Sequence, residues 1–214
     1  MNKLFVISRY KEDFRWIERY TDNYLVYNKG NAIDDSRVIN LPNIGGNQHD
    51  ICHFIYYNYE LLPDIMIFLQ AHPFDHCKAE IFNNLIKLNT FVGIESHEDS
   101  EFIGNRYGMR SVDGGVLEKN REQITGDTSH TSYDAFMEKY FEDYIHVDWM
   151  RFSPGSQYVV PKENALIYPK RMWISMCEDL KRENSHRPFL GHMVERALYY
   201  IFTGKYSLRK EFYD

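Results

Sequence analysis

The stretch Pro63-Asp64-Ile65-Met66-Ile67-Phe68-Leu69-Gln70-Ala71-His72-Pro73-Phe74-Asp75-His76 decides the fold class of this chain. A continuous apolar run with turn signals at both ends reads as a strand buried on both faces of a parallel sheet. In open parallel sheets, ligands lie beyond the carboxyl ends of the strands. Gln70, His72, Asp75 and His76 follow the run directly, so oxygen and imidazole donors stand where such a fold would hold a ligand or a metal.

Outward from this strand, the sequence alternates elements. Lys3 to Ser8 reads as a first strand, with a brief amphipathic helix around Phe14 to Tyr20. Tyr24 to Tyr27 and Arg37 to Leu41 read as further strands, closed by Asn28-Lys29-Gly30 and Pro42-Asn43-Ile44-Gly45-Gly46. Helical spacing marks 48–61 and 81–88, and Tyr158 to Val160 reads as a late strand. Two helices are predicted after it, one over 162–182. The other is marked by Leu190, Val194, Ala197 and Ile201 and stopped by Gly204. Residues 93–134 are polar and weakly periodic, with a short strand expected near Ser111 to Glu118. The predicted architecture is α/β: one domain over 1–214, with a central, mostly parallel sheet of about six strands flanked by helices.

A chain of 214 residues, 43% hydrophobic and 26% charged, supports such a core. Its 17 Tyr and 14 Phe supply large surfaces for packing or for stacking on a planar ligand. A net charge of −6 argues against a nucleic-acid binder that relies on phosphate neutralisation. Three cysteines, without metal-type pairing, fit reduced thiols. No signal peptide or membrane span is evident, so a cytoplasmic location is expected.

His72 and Asp75, with His76, are candidate ligands for a divalent cation such as Mn²⁺, Mg²⁺ or Zn²⁺. Arg9 and Tyr10, at the end of the first strand, offer charge and a stacking surface to a base or phosphate, and Lys29 occupies the matching position after the second. Glu195 and His192 flank the apolar face of the last helix, a placement open to a general base or to a solvated ion pair. His49 and His53 recur at i,i+4 without a nearby third ligand and read as packing or supporting residues.

Several segments resemble a glycosyltransferase-like family whose members carry Ala-Arg-Tyr-x-Glu-Asp-x-x-Trp, Val-Tyr-Asn-Lys-Gly, Leu-Pro-Asn-x-Gly, Phe-Leu-Gln-Gly-His-Pro and a C-terminal Glu-Arg helix. Here they read Ser8 to Trp16, Val26 to Gly30, Leu41 to Gly45, Phe68 to Pro73 and Glu195-Arg196, in the same order. The chain is also similar to the N-terminal domain of chlorella-virus glycosyltransferases, which implies further domains of the same polypeptide and host-cell cytoplasm as the location. The resemblance implies a GT-A fold that binds a UDP-sugar, with Mn²⁺ or Mg²⁺ on the diphosphate and a glycan or glycoprotein as acceptor. UDP-glucose is the default donor and inversion the expected outcome. Where that fold carries Asp-x-Asp, this chain has Gln70-Ala71-His72, so His72 and Asp75 would have to take its place. Arg9, Tyr10, Lys29, Gln70, His49, Arg106 and Arg110 are then expected around the nucleotide. Glu195 is expected as the base, with Asp148 as the other candidate. A metal-dependent hydrolase and a non-catalytic sugar-nucleotide-binding module are the rival readings.

Overall fold

In the computed structural model, which describes residues 1–97, 107–110, 115–120, 132–183 and 189–213, β1 (Lys3–Arg9) leads into a 3-10 turn at Arg15–Arg19. Then come β2 (Tyr24–Asn28), β3 (Val38–Asn40), α1 (Gly46–Tyr57) and β4 (Ile65–Gln70). A second 3-10 turn at Pro73–Asp75 precedes α2 (Ala79–Leu85), β5 (Val92–Gly93), β6 (Tyr107–Arg110) and β7 (Val116–Lys119). The chain continues through α3 (Tyr133–Tyr140), β8 (Trp149–Phe152) and β9 (Tyr158–Pro161). It closes with α4 (Lys162–Ala165), α5 (Lys170–Arg182) and α6 (Phe189–Thr203).

The central sheet has six strands in the order β3-β2-β1-β4-β9-β5. β3, β2, β1 and β4 are mutually parallel, and β9 runs antiparallel to β4. A smaller antiparallel sheet, β6-β7-β8, stands beside it. The fold is thus one α/β domain with a mostly parallel central sheet.

The two-residue period of a strand explains how the sheet divides the core. Met66 and Phe68 of β4 face the larger apolar cluster, built with α1, α5 and α6. Ile65, Ile67 and Leu69 face a second cluster with Phe14, Ile17 and Phe82. β1 alternates in the same sense, with Val6 on one face and Phe5 and Ile7 on the other. Both faces are apolar, which is why these strands read as continuous hydrophobic runs.

The fold differs from the sequence reading in four places. The segment 162–182 is two helices, because Pro169 stands at the start of α5 and the chain turns through 166–169 before it. The first predicted helix is only a 3-10 turn. α3 starts at the end of the segment read as weakly periodic and runs beyond it, where no element was predicted; Ser132 caps it by accepting the Ala135 N–H at 3.1 Å. The short strand expected near 111–118 is β7, displaced to Val116–Lys119.

Phe202 of α6 is fully buried and stacks on Phe68 of β4 and Trp173 of α5, at centroid separations of 6.4 and 5.7 Å. It joins two helices to the central strand. Phe202→Ala is expected to lower the unfolding free energy by about 3–5 kcal/mol, measured by chemical denaturation; a loss under about 1 kcal/mol would mean that the neighbours close the cavity.

Candidate functional site

A cleft of about 850 Å³ opens at the carboxyl ends of the parallel strands. It lies at the β1–β4 junction, where the chain has built β2 and β3 on one side of β1 and crosses to the other. Ligands of open α/β sheets bind at such switch points. Ser8, Arg9 and Tyr10 from the end of β1 and Gln70, Ala71, His72 and Asp75 from the end of β4 form two sides. Lys29, Asn43, Gly46, Asn47 and Asp50 form the third.

Arg9 is held in place by nearby acceptors. Its Nε donates to the Glu12 carbonyl at 2.8 Å, and Nη1 donates to the Tyr10 carbonyl and to Asn28 Oδ1. Asn28 is fully buried and its amide donates onward to Asn31 O and Asn40 Oδ1, both at 2.7 Å. The β1 and β2 ends are pressed together at Gly30, where an added Cβ would lie 1.7 Å from the Tyr10 carbonyl oxygen. Only glycine fits there. Trp16 ties the same region to β4 by donating from Nε1 to the Ala71 carbonyl at 2.7 Å.

Lys29 lines the cleft, but its ammonium is turned into the protein. Nζ donates to the Ile44 carbonyl at 2.8 Å, to the Gly46 carbonyl, and to Asp50 Oδ1 at 2.9 Å. Its donors are therefore engaged, and it shapes the cleft more than it offers a free charge.

His72 and Asp75 do come together, with Nδ1 and Oδ1 at 2.9 Å and both side chains more than half exposed. His76 does not join them. The 3-10 turn swings it inward, where its ring meets His97 at 5.5 Å and desolvation lowers its pKa. Among the described residues no group of three His, Cys, Asp or Glu side chains could hold an ion. A pair fits only an ion that completes its shell with water and ligand phosphates, which is how Mg²⁺ is commonly held.

Glu195 and Asp148 lie outside the cleft lining. Asp148 is 84% exposed, with its carboxylate 3.7 Å from His146, which also pairs with Asp134 at 2.7 Å. Glu195 is buried, and both of its oxygens are engaged. Oε1 accepts the Gly155 N–H at 2.7 Å and Oε2 accepts Arg196 Nη1 at 2.6 Å, while Arg196 Nε donates to Glu118 at 2.7 Å. Burial alone would raise the Glu195 pKa; the His192 ring 3.7 Å away, the Arg196 charge and the Gly155 N–H outweigh it and hold the carboxyl below its ordinary value. A carboxylate so engaged is a weak base and a strong tether. What it tethers is the Pro154–Ser156 turn. Gly155 has φ +72°, and an added Cβ would lie 2.9 Å from the His76 ring and 3.0 Å from the Gln70 amide. Asn47 and Gln48 grip the same turn, through Gly155 O at 2.6 Å and Ser156 Oγ at 3.0 Å.

His49 is buried behind the cleft beside Asp50 and does not line it. Arg106 lies outside the described residues, and Arg110 is the last residue of β6. Sequence reasoning did not single out Asn28, Asp50 or Gly155. The polar run Asn47-Gln48-His49-Asp50, at the start of a helix that must pack on the sheet, is the one signal that could have marked Asp50.

Residues 4–212 match the family described as Protein of unknown function (DUF3431). The chain belongs to that family. No curated protein matches it. Among the described residues, no helix is long and apolar enough to cross a membrane.

The depressed pKa of Glu195 fixes the sign of an acid effect. Its folded-state value lies below its unfolded one, so the stabilisation is present above the ordinary carboxylate range and is lost as pH falls through it. Glu195→Gln is expected to cost about 1–3 kcal/mol at neutral pH and to flatten the acid limb of the stability profile. Denaturation midpoints measured from pH 7 to pH 3 give both quantities; an unchanged acid limb would sink this assignment.

Proposed function

We propose that this chain is a nucleotide-sugar-dependent glycosyltransferase that moves a hexosyl group from a UDP-sugar to a hydroxyl of a glycan or glycoprotein. One observation carries the reading. The segments that resemble the glycosyltransferase-like family are scattered through the sequence, yet Ser8–Tyr10, Lys29, Asn43 and Gln70–His72 line one cleft. The remaining segment, Glu195-Arg196, supports that cleft from behind through Gly155 and Gln70. Family motifs chosen only for packing would not converge on one open, polar wall at the carboxyl edge of a sheet.

The residues divide the work by their geometry. Arg9 places a fixed positive charge at the rim, where a diphosphate would gather negative charge as it leaves. Tyr10, 43% exposed, presents a ring on which a base or sugar can stack. His72 and Asp75 would hold a divalent ion together with ligand phosphates, the ion taking the place of the hydrogen bond between them. Such an ion, when bound, acts as a Lewis acid on the leaving group. Gln70 is held against Gly155 and keeps the floor of the cleft in place. In this reading Glu195 is a positioning residue, since its oxygens are committed to Gly155 and Arg196.

Calorimetric titration of UDP, with and without Mn²⁺, tests the proposal. UDP is expected to bind and Mn²⁺ to strengthen the binding. His72→Ala and Asp75→Ala are each expected to remove about tenfold or more of the Mn²⁺-dependent part. Slow release of free sugar from a UDP-sugar panel then identifies the donor. Absence of UDP binding under both conditions overturns the proposal; metal-independent binding overturns the metal site alone.

A further inference from the structure

Gln157 is fully buried, and both ends of its side-chain amide are in use. It stands one residue before β9, just past the point where the β4–β9 ladder ends at Phe68 and Tyr158. Successive N–H groups of a strand point to opposite neighbours. The Ala71 N–H turns toward β1, where the Ser8 carbonyl accepts it at 2.8 Å, so the Gln70 N–H turns toward β9, beyond the end of its ladder. Gln157 Oε1 accepts that N–H at 3.4 Å. Gln157 Nε2 donates to the Pro73 carbonyl at 3.3 Å and to the Ile94 carbonyl at 3.5 Å. Each bond is long, but the three agree: a donor meets the amide oxygen and two acceptors meet its NH₂ group.

The segments so joined carry one wall of the cleft. Gln70, His72 and Asp75 line it, and Pro73 opens the 3-10 turn on which Asp75 stands. The Pro73 carbonyl also accepts the His76 N–H at 3.2 Å, which closes the turn. Ser96 holds the far end: its N–H donates to the His76 carbonyl at 3.0 Å, and its Oγ accepts the Lys78 N–H at 2.6 Å. Between these ends Phe74 packs edge-on against Trp16 and Phe82, at centroid separations of 5.4 and 5.3 Å. The backbone from 70 to 78 is thus pinned along its length, while the His72 and Asp75 side chains are 58% and 65% exposed. Side chains so exposed take their position from the backbone beneath them.

We infer that Gln157 is a positioning residue for the ion site: its buried amide fixes the backbone that sets His72 and Asp75 at the spacing a divalent cation needs. The inference rests on the ion site proposed above and adds the group that holds it in shape. With only two protein ligands, that site depends on their mutual placement, and supporting partners of ligand residues commonly carry a tenfold to hundredfold share of metal affinity. Gln157 itself touches neither ion nor nucleotide on this account. It acts through Gln70 and Pro73.

Calorimetric titration of UDP, with and without Mn²⁺, tests the inference on the unaltered protein and on Gln157→Met, which keeps the length of the side chain and removes all three bonds. The Mn²⁺-dependent part of UDP binding is expected to fall by about tenfold or more, with the Mn²⁺-free affinity kept within a few-fold. Equal losses in both parts would make Gln157 a general structural residue and overturn the inference, as would no loss in either. Gln157→Glu keeps an acceptor for the Gln70 N–H but sets a carboxylate against the Pro73 and Ile94 carbonyls, and is expected to act in the same direction. Amide exchange followed by NMR on the unaltered protein covers the case in which neither variant folds. The Gln70 N–H is expected to be equally protected with and without UDP and Mg²⁺; protection that arises only with the ligands would overturn the inference. Binding of UDP by the unaltered protein without any help from Mn²⁺ would remove the ion site, and this inference with it. Absence of UDP binding under both conditions would remove the nucleotide reading first.

Discussion

The ion pair between Lys29 and Asp50 is the constraint on which the cleft depends. Both side chains are almost wholly buried, at 5% and 1% exposure, so neither is solvated by water. Such pairs contribute little net stability against apolar replacements, but loss of one partner strands the other at a cost of about 3–5 kcal/mol. What the pair contributes is position. Lys29 belongs to the turn after β2, Ile44 and Gly46 to the entry of α1, and Asp50 to its second turn. One ammonium therefore fixes three pieces of backbone that hydrophobic packing alone would leave free to slide.

A second polar knot holds the opposite wall. The turn at 154–156 is gripped by Glu195 from α6 and by Asn47 and Gln48 from α1, and its glycine leaves room for Gln70 and His76. The two knots share α1, whose first turns carry Asn47, Gln48 and Asp50. Buried networks of this kind favour a single geometry because their bonds are directional and shielded from water. The cleft is consequently a preorganised feature of the scaffold, shaped at its floor before any ligand arrives.

How much of this was legible in the sequence depends on what each residue answers to. The double-sided apolar run of β4 and the helical phase of α6 were readable because burial leaves a period in the sequence. Arg9, Tyr10, Lys29, Gln70, His72 and Asp75 could be placed together by the rule that strand ends face the ligand. His76 could not, because within a 3-10 turn adjacent residues point in divergent directions, and it faces Gly155 instead of Asp75. Glu195 was correctly placed at the edge of its helix face, but its commitment to Gly155 and Arg196 is a tertiary fact. The direction of β9 and the existence of the small sheet were equally hidden, since a four-residue apolar strand carries no mark of its polarity. Asp50 was not singled out, because its pairing with Lys29 is a contact between distant turns that leaves no period in the sequence.

The reversed direction of β9 has an effect of its own. Because it runs against β4, its first residue, Tyr158, pairs with Phe68 near the cleft edge, and the neighbouring β5 ends at Gly93 opposite the same Tyr158. The chain thus leaves the central sheet after β5 and re-enters it at β9, both at the ligand edge, and the elements described between them, α3 and the small sheet, lie outside the central sheet. Residues can be added to or removed from such a segment without changing the register of any central strand. The central sheet can therefore keep its register in different members of the family while the segment that joins β5 to β9 varies in length.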